Sequence, residues 1–238
     1  MGCGGWGSIL YTSTKLAPIL LCPFNNRMEP VYDLLRAKGK PLSSFKKGDT
    51  IYVNNKMQKG YSYTLQEDPG TNFQADFKPY LTPGEVLALG SFEGKYLNDC
   101  GLEYPAEWFL QAGSLDKLHP EAPDASTNYF QIKSRLGLQA WREKGWVPPG
   151  PGQRRHISDQ HPLLSDIKQN PDLRGWFEWY CRYWMGRRIP PLDEIQIKRW
   201  KSFVRHSGAV KANCAAGDLT CRPKQRQALL HWAHNPFI

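Results

Sequence analysis

Apolar positions recur at helical spacing in the last third of the chain. Trp176, Trp179, Tyr180, Tyr183 and Trp184 fall at i, i+3, i+4, i+7 and i+8, which is one face of a helix. Arg187 continues that face by a further i+3 step, and Arg182 lies to its side. Asp172 stands where a helix cap belongs, and Gly186 with Pro190 and Pro191 marks the end. A second face joins Asp193, Ile197, Trp200 and Val204 at i, i+4, i+7 and i+11, predicting a helix from Pro191 to about Arg205. Its acidic start, Asp193 and Glu194, suits the positive end of a helix dipole. A third helix is predicted from Pro223 to about Ala233, anchored by Leu229 and Trp232.

Upstream the pattern is carried by punctuation. Thr82, Pro83 and Glu85 spell a capping box with proline in the first turn, so a helix is expected over Leu81–Gly90. Pro105 and Gly113 bracket a second, over Tyr104–Gly113. Phe130, Leu138 and Trp141 suggest a third over 129–145, stopped by Gly145. The stretch Val147–His156 is rich in proline and glycine and reads as a linker. Residues 1–60 show no clear period and read as mostly irregular, with a short helix near Val31–Arg36. The expected fold is mainly α: an irregular multi-helix domain with long loops and a basic, aromatic-rich C-terminal helical part. It divides into an irregular segment (1–60), a helical first part (61–146), the linker (147–156) and the basic helical part (157–238).

Charge sharpens this picture. The chain has 238 residues and a formal charge of +9. From Pro171 to Ile238 there are twelve Lys and Arg against five Asp and Glu, so +7 of that charge lies there, with five of the nine tryptophans. A basic, ring-rich surface suits an anionic partner, most often nucleic acid or a membrane surface. The six cysteines form no CxxC pair, and Cys214 to Cys221 matches no usual zinc spacing, so an intracellular, cytoplasmic chain with reduced thiols is expected. No secretory signal is read, and the apolar run near Leu16–Leu21 is too short to span a membrane. His231 and His234 are three apart, but no third ligand has suitable spacing, so no metal is expected. No phosphate-binding loop, nucleophile elbow or dinucleotide fingerprint is present, and no cofactor is expected.

Two readings compete for the aromatic stretch. The rings pack in a core, or they offer a stacking platform for bases with arginines on phosphate. The reading adopted combines them: rings in the core, with Arg182, Arg187, Arg188, Gln196, Arg199, Arg222, Gln225 and Arg226 contributing to a substrate- or nucleic-acid-binding surface. Asp193 sits in line with the buried face of its helix, beside the i+3 pair Gln196 and Arg199. A carboxylate held among guanidiniums suits a general base or a cation receptor, so Asp193 and Glu194 are the catalytic candidates. A structural ion pair at a helix start is the plainer alternative.

The strings "GWFEWYCRYWMGRR" (Gly175–Arg188), "QIKRW" (Gln196–Trp200), "CRPKQRQALLHWA" (Cys221–Ala233) and "FKPYLTPGEVLALGSFEGKYLNDC" (Phe77–Cys100) resemble a family found in microbes, viruses and fungi. The resemblance spans roughly residues 60–238. A fungal branch of that family resembles the arginine-containing cyclodipeptide synthases. This implies acyl transfer from two aminoacyl-tRNAs, one carrying arginine, to close a diketopiperazine ring without a cofactor. The synthases carry a DDxxE motif, which falls here on Leu192, Asp193, Glu194, Ile195 and Gln196. Only the second Asp of the motif is kept.

Overall fold

The computed structural model describes residues 29–150 and 162–238. Helix α1 (Glu29–Lys38) turns Tyr32 and Leu35 inward. This is the short helix expected near Val31–Arg36. It is followed by an antiparallel hairpin, β1 (Thr50–Asn54) and β2 (Lys59–Thr64), in the register Thr50 to Thr64. The hairpin was not read from the sequence, because its two strands are brief. Its local cause is visible at the turn, where the Asn55 side-chain oxygen accepts from the Met57 and Gln58 amides. Alternation then places Ile51 and Val53 inside and leaves Tyr52 outside.

Helix α2 (Pro83–Leu89) begins at the capping box the sequence spells. The Glu85 amide donates to Thr82 Oγ1, and the Thr82 amide donates to the Glu85 carboxylate at 2.8 Å. Helix α3 (Ala106–Ser114) packs on α2. A Cβ at Gly113 would lie 1.6 Å from the Tyr32 hydroxyl, so only glycine lets α1 approach α3 this closely. The helix expected over 129–145 shrinks to α4 (Leu138–Glu143). Gln131 takes a left-handed φ of 52°, and the Asn128 side-chain Nδ2 donates to the Ile132 carbonyl, which holds that stretch as a turn. Residues 147–150 form no regular element, and 151–156 of the expected linker lie outside the described residues.

After the short α5 (Pro162–Ser165) comes the aromatic helix α6 (Trp176–Trp184), where the spacing predicts it. It is the axis of the core. Phe77 stands edge-on to Trp179, Tyr180, Tyr183 and Trp200, with centroids 4.9–5.8 Å away. The predicted helix from Pro191 is α7 (Pro190–Ser202); it ends at Phe203, and α8 (Val204–Asn213) follows. Helix α9 (Pro223–His231) closes the set, packed against α8. One cluster of buried residues runs from Tyr32 to Ala233. Among the described residues this is a helix-rich fold with one two-stranded sheet, in keeping with the mainly α expectation.

The expectation of reduced thiols is corrected at one place. Cys214 and Cys221 form a disulfide that ties the end of α8 to the segment before α9. Cys100 and Cys181 are free and buried. Among the described residues no helix is long and apolar enough to cross a membrane.

A candidate ligand cleft beside a buried ion-pair network

Most of the arginines predicted to face nucleic acid are turned inward. The Arg182 side chain is fully buried and uses all five of its N–H donors. Two go to the Glu103 carboxylate, at 2.6 and 3.3 Å, and the others reach Asp172 Oδ1, Gln58 Oε1 and the Pro171 carbonyl. Arg187 grips Asp172 with two parallel bonds of 2.7 and 2.6 Å. Asp172 is therefore no helix cap; Gly175 holds that position. Burial pushes the Asp172 carboxyl up, but Arg187 and Arg182 outweigh it and hold it below the usual range.

Arg174 joins this network through Asp99, at 2.8 Å, and Glu178. Three guanidiniums thus face four carboxylates: Asp99, Glu103, Asp172 and Glu178. Burial, with Asp172 and Glu103 adding to it, pushes Glu178 up to about 7. With Glu178 protonated, the count is three against three. Asp99, Glu103 and Arg174 also line a broad cavity of about 910 Å³ between the hairpin, α1 and the Tyr96–Glu103 turns.

Arg188 and Arg226 are likewise taken. Arg188 lies over the Tyr183 ring at 4.1 Å and donates to the carbonyls of Tyr183, Arg187, Thr71 and Asn72. Arg226 is buried and holds the main-chain oxygens of Asp218, Cys221, Pro236 and Ile238. Both guanidiniums thus staple chain segments together through their main-chain oxygens. The assignment of Arg182, Arg187, Arg188 and Arg226 to a phosphate-binding surface is therefore corrected. Arg222 and Gln225 are half-buried at the start of α9 and line neither cavity.

The acidic pair also separates. Asp193 is buried, and its oxygens accept from Trp179 Nε1 at 2.8 Å and from the Ile189 amide at 2.7 Å. It fastens the start of α7 to α6. Burial raises its pKa. Glu194 is exposed on the next position, and neither residue lines a described cavity.

One sequence candidate, Arg199, does meet a cavity edge, and Gln196 stands behind it. Gln196 is fully buried and accepts from Arg199 at 2.8 Å, and Arg199 lines a cleft of about 400 Å³ between α4, α6, the α7–α8 junction and α9. Burial alone pushes Arg199 down to about 10, since no carboxylate is near it. Arg205 lines the same cleft. The rings here fall in two groups. Trp232 is sandwiched between Trp176 and Phe203, with centroids 4.5 and 3.9 Å away, so both of its faces are used. Trp141 and Trp146 line the cleft and stack on no other ring among the described residues.

The polar groups of this cleft share one character. Among the described residues its lining holds no carboxylate. Arg199 and Arg205 offer guanidinium donors, and the buried Trp176 indole N–H has no acceptor. Arg135 also lines the cleft; it is paired with Glu93 at 2.7 Å, yet its Nε lacks an acceptor. His231 and Ser134 complete the wall, 3.3 Å apart. Next to them Phe92 and Glu93 adopt left-handed backbone, with φ of 53° and 54°. Such residues cost about 1–3 kcal/mol each and gather at ligand sites. The sequence reading named Trp141 as a core anchor and His231 as a weak metal candidate. It missed Ser134 and Arg135, inside the stretch expected to be helical, and Arg205, at the end of the helix predicted from Pro191. No group of His, Cys, Asp or Glu among the described residues is arranged to hold a metal ion.

No protein family, curated protein or solved structure matches this chain.

Proposed function

We propose that the protein binds the single-stranded end of an RNA in the cleft, and that it does so as an aminoacyl-tRNA-dependent acyl transferase. One observation carries the binding half: the cleft combines two half-buried indoles, each with a cation over its ring, with hydrogen-bond donors, and has no carboxylate in its described lining. A nucleotide is the complementary object. Its base stacks on Trp141 or Trp146, and its phosphate and ribose oxygens accept from Arg199, Arg205 and the Trp176 N–H. A volume of about 400 Å³ is within the range of small-ligand sites. The acyl-transfer half rests on the resemblance to the arginine-containing cyclodipeptide synthases.

A second reading, a non-catalytic nucleic-acid binder, is favoured by the engagement of both Asp193 oxygens in structural bonds. One experiment separates the two. The protein is incubated with total tRNA, ATP, amino acids and aminoacyl-tRNA synthetases, and mass spectrometry looks for arginine-containing diketopiperazines with and without RNase. A product abolished by RNase is expected. RNA retention without any product, from tRNA shown to be charged, leaves the binder. Absence of both overturns the proposal.

A further inference from the structure

The hydrogen bonds behind the cleft fix where the protons lie. Gln227 is fully buried, and its side-chain oxygen accepts from the Phe130 amide at 3.0 Å. That orients its amide nitrogen toward the Gly90 carbonyl and His231 Nε2, each at 3.1 Å. The Phe92 amide also donates to His231 Nε2, at 3.0 Å. Two donors converge on one ring nitrogen, so that nitrogen carries a lone pair and no proton. The ring is neutral, because burial first, and then Arg135, holds its pKa well below the ordinary histidine range. Its single proton is therefore on Nδ1, 3.3 Å from Ser134 Oγ.

Ser134 Oγ is then an acceptor toward the ring. Its own proton is left to point away from His231, and no acceptor for it is found among the described residues. Ser134 lines the cleft. We propose that Ser134, oriented by His231, donates its hydroxyl proton to an oxygen of the ligand seated there. His231 is the positioning residue and Ser134 the contact. The inference rests on the RNA-end reading and deepens it: the ligand presents an acceptor oxygen, of phosphate or ribose, opposite Ser134. The left-handed turn at Phe92 and Glu93 gains a reason, since it aims the Phe92 N–H at the imidazole.

The test uses the full chain and a short radiolabelled single-stranded RNA ending in CCA, measured by filter binding at low salt. Ser134→Ala should bind about fivefold more weakly, the loss of one hydrogen bond. Ser134→Thr, which keeps the hydroxyl, should recover most of the affinity, and the thermal midpoints of both should stay near that of the wild type. A long-range proton–nitrogen NMR spectrum should show the His231 proton on Nδ1 at neutral pH. Equal binding by Ser134→Ala, or a proton on Nε2, overturns this inference alone. No retention by the wild type overturns the RNA-end reading and this inference with it.

Discussion

Arg187 and Arg199 show how one residue type takes opposite roles through its surroundings. Arg187 is buried against Asp172, and removing it leaves a buried carboxylate short of a partner. Arg187→Ala should lower unfolding stability by about 3–5 kcal/mol in a urea titration. Its RNA affinity, compared at equal folded fraction, should be unchanged. Arg199 has no carboxylate to lose. Arg199→Ala should weaken RNA binding and reduce the slope of log affinity against log salt by about 0.7 if it meets one phosphate. Its stability should fall less than that of Arg187→Ala, by about 1–3 kcal/mol, since the buried Gln196 oxygen loses its donor. Opposite results for the two variants would return the phosphate-binding role to Arg187. From the sequence these arginines look alike, because spacing shows which face a side chain shares but not whether a carboxylate from a distant segment meets it. Glu103 lies 79 positions from Arg182.

At the scale of elements, the sequence was most legible where local signals agree. The capping box of α2, the ring spacing of α6 and the proline starts of α7 and α9 each set an element by short-range physics. It was least legible where side-chain-to-backbone bonds override or interrupt a weak pattern, as in the turn held by Asn128 or the hairpin turned at Asn55. At the candidate site, separation along the chain decides. The Gln196–Arg199 pair is an i+3 neighbour and could be read; Ser134 and His231 are 97 positions apart and could not. Helix α6 also carries a pH signature. Glu178 has its folded-state pKa raised from 4.5 to about 7. Its contribution to stability is therefore complete below the unfolded value and is lost as pH rises through about 7. Thermal midpoints of the wild type should fall across this window more steeply than those of Glu178→Gln. Parallel curves would show that Glu178 ionises normally.

Over the whole molecule, the basic C-terminal part separates into an inner and an outer set. Arg182, Arg187 and Arg226 balance carboxylates or hold carbonyls inside, while Lys198, Arg205, Lys211 and Lys224 remain exposed on α7, α8 and α9. The net charge read from the sequence thus overstates the field available to a partner on α6 and understates the concentration of that field around the α7–α9 flank, next to the cleft. The stacked column of Tyr180, Trp176, Trp232 and Phe203 ends at this cleft, with ring planes tilted by 17–29°. Indoles as close and as nearly parallel as Trp176 and Trp232 should couple through their strong far-ultraviolet transition and give the folded protein a paired circular dichroism band there. Trp141 and Trp146 stand on the cleft wall outside that column. A base laid on either should quench their emission while leaving the coupled band in place. The molecule therefore carries two optical probes, one for its core and one for its ligand, and a titration can tell binding from unfolding without any label.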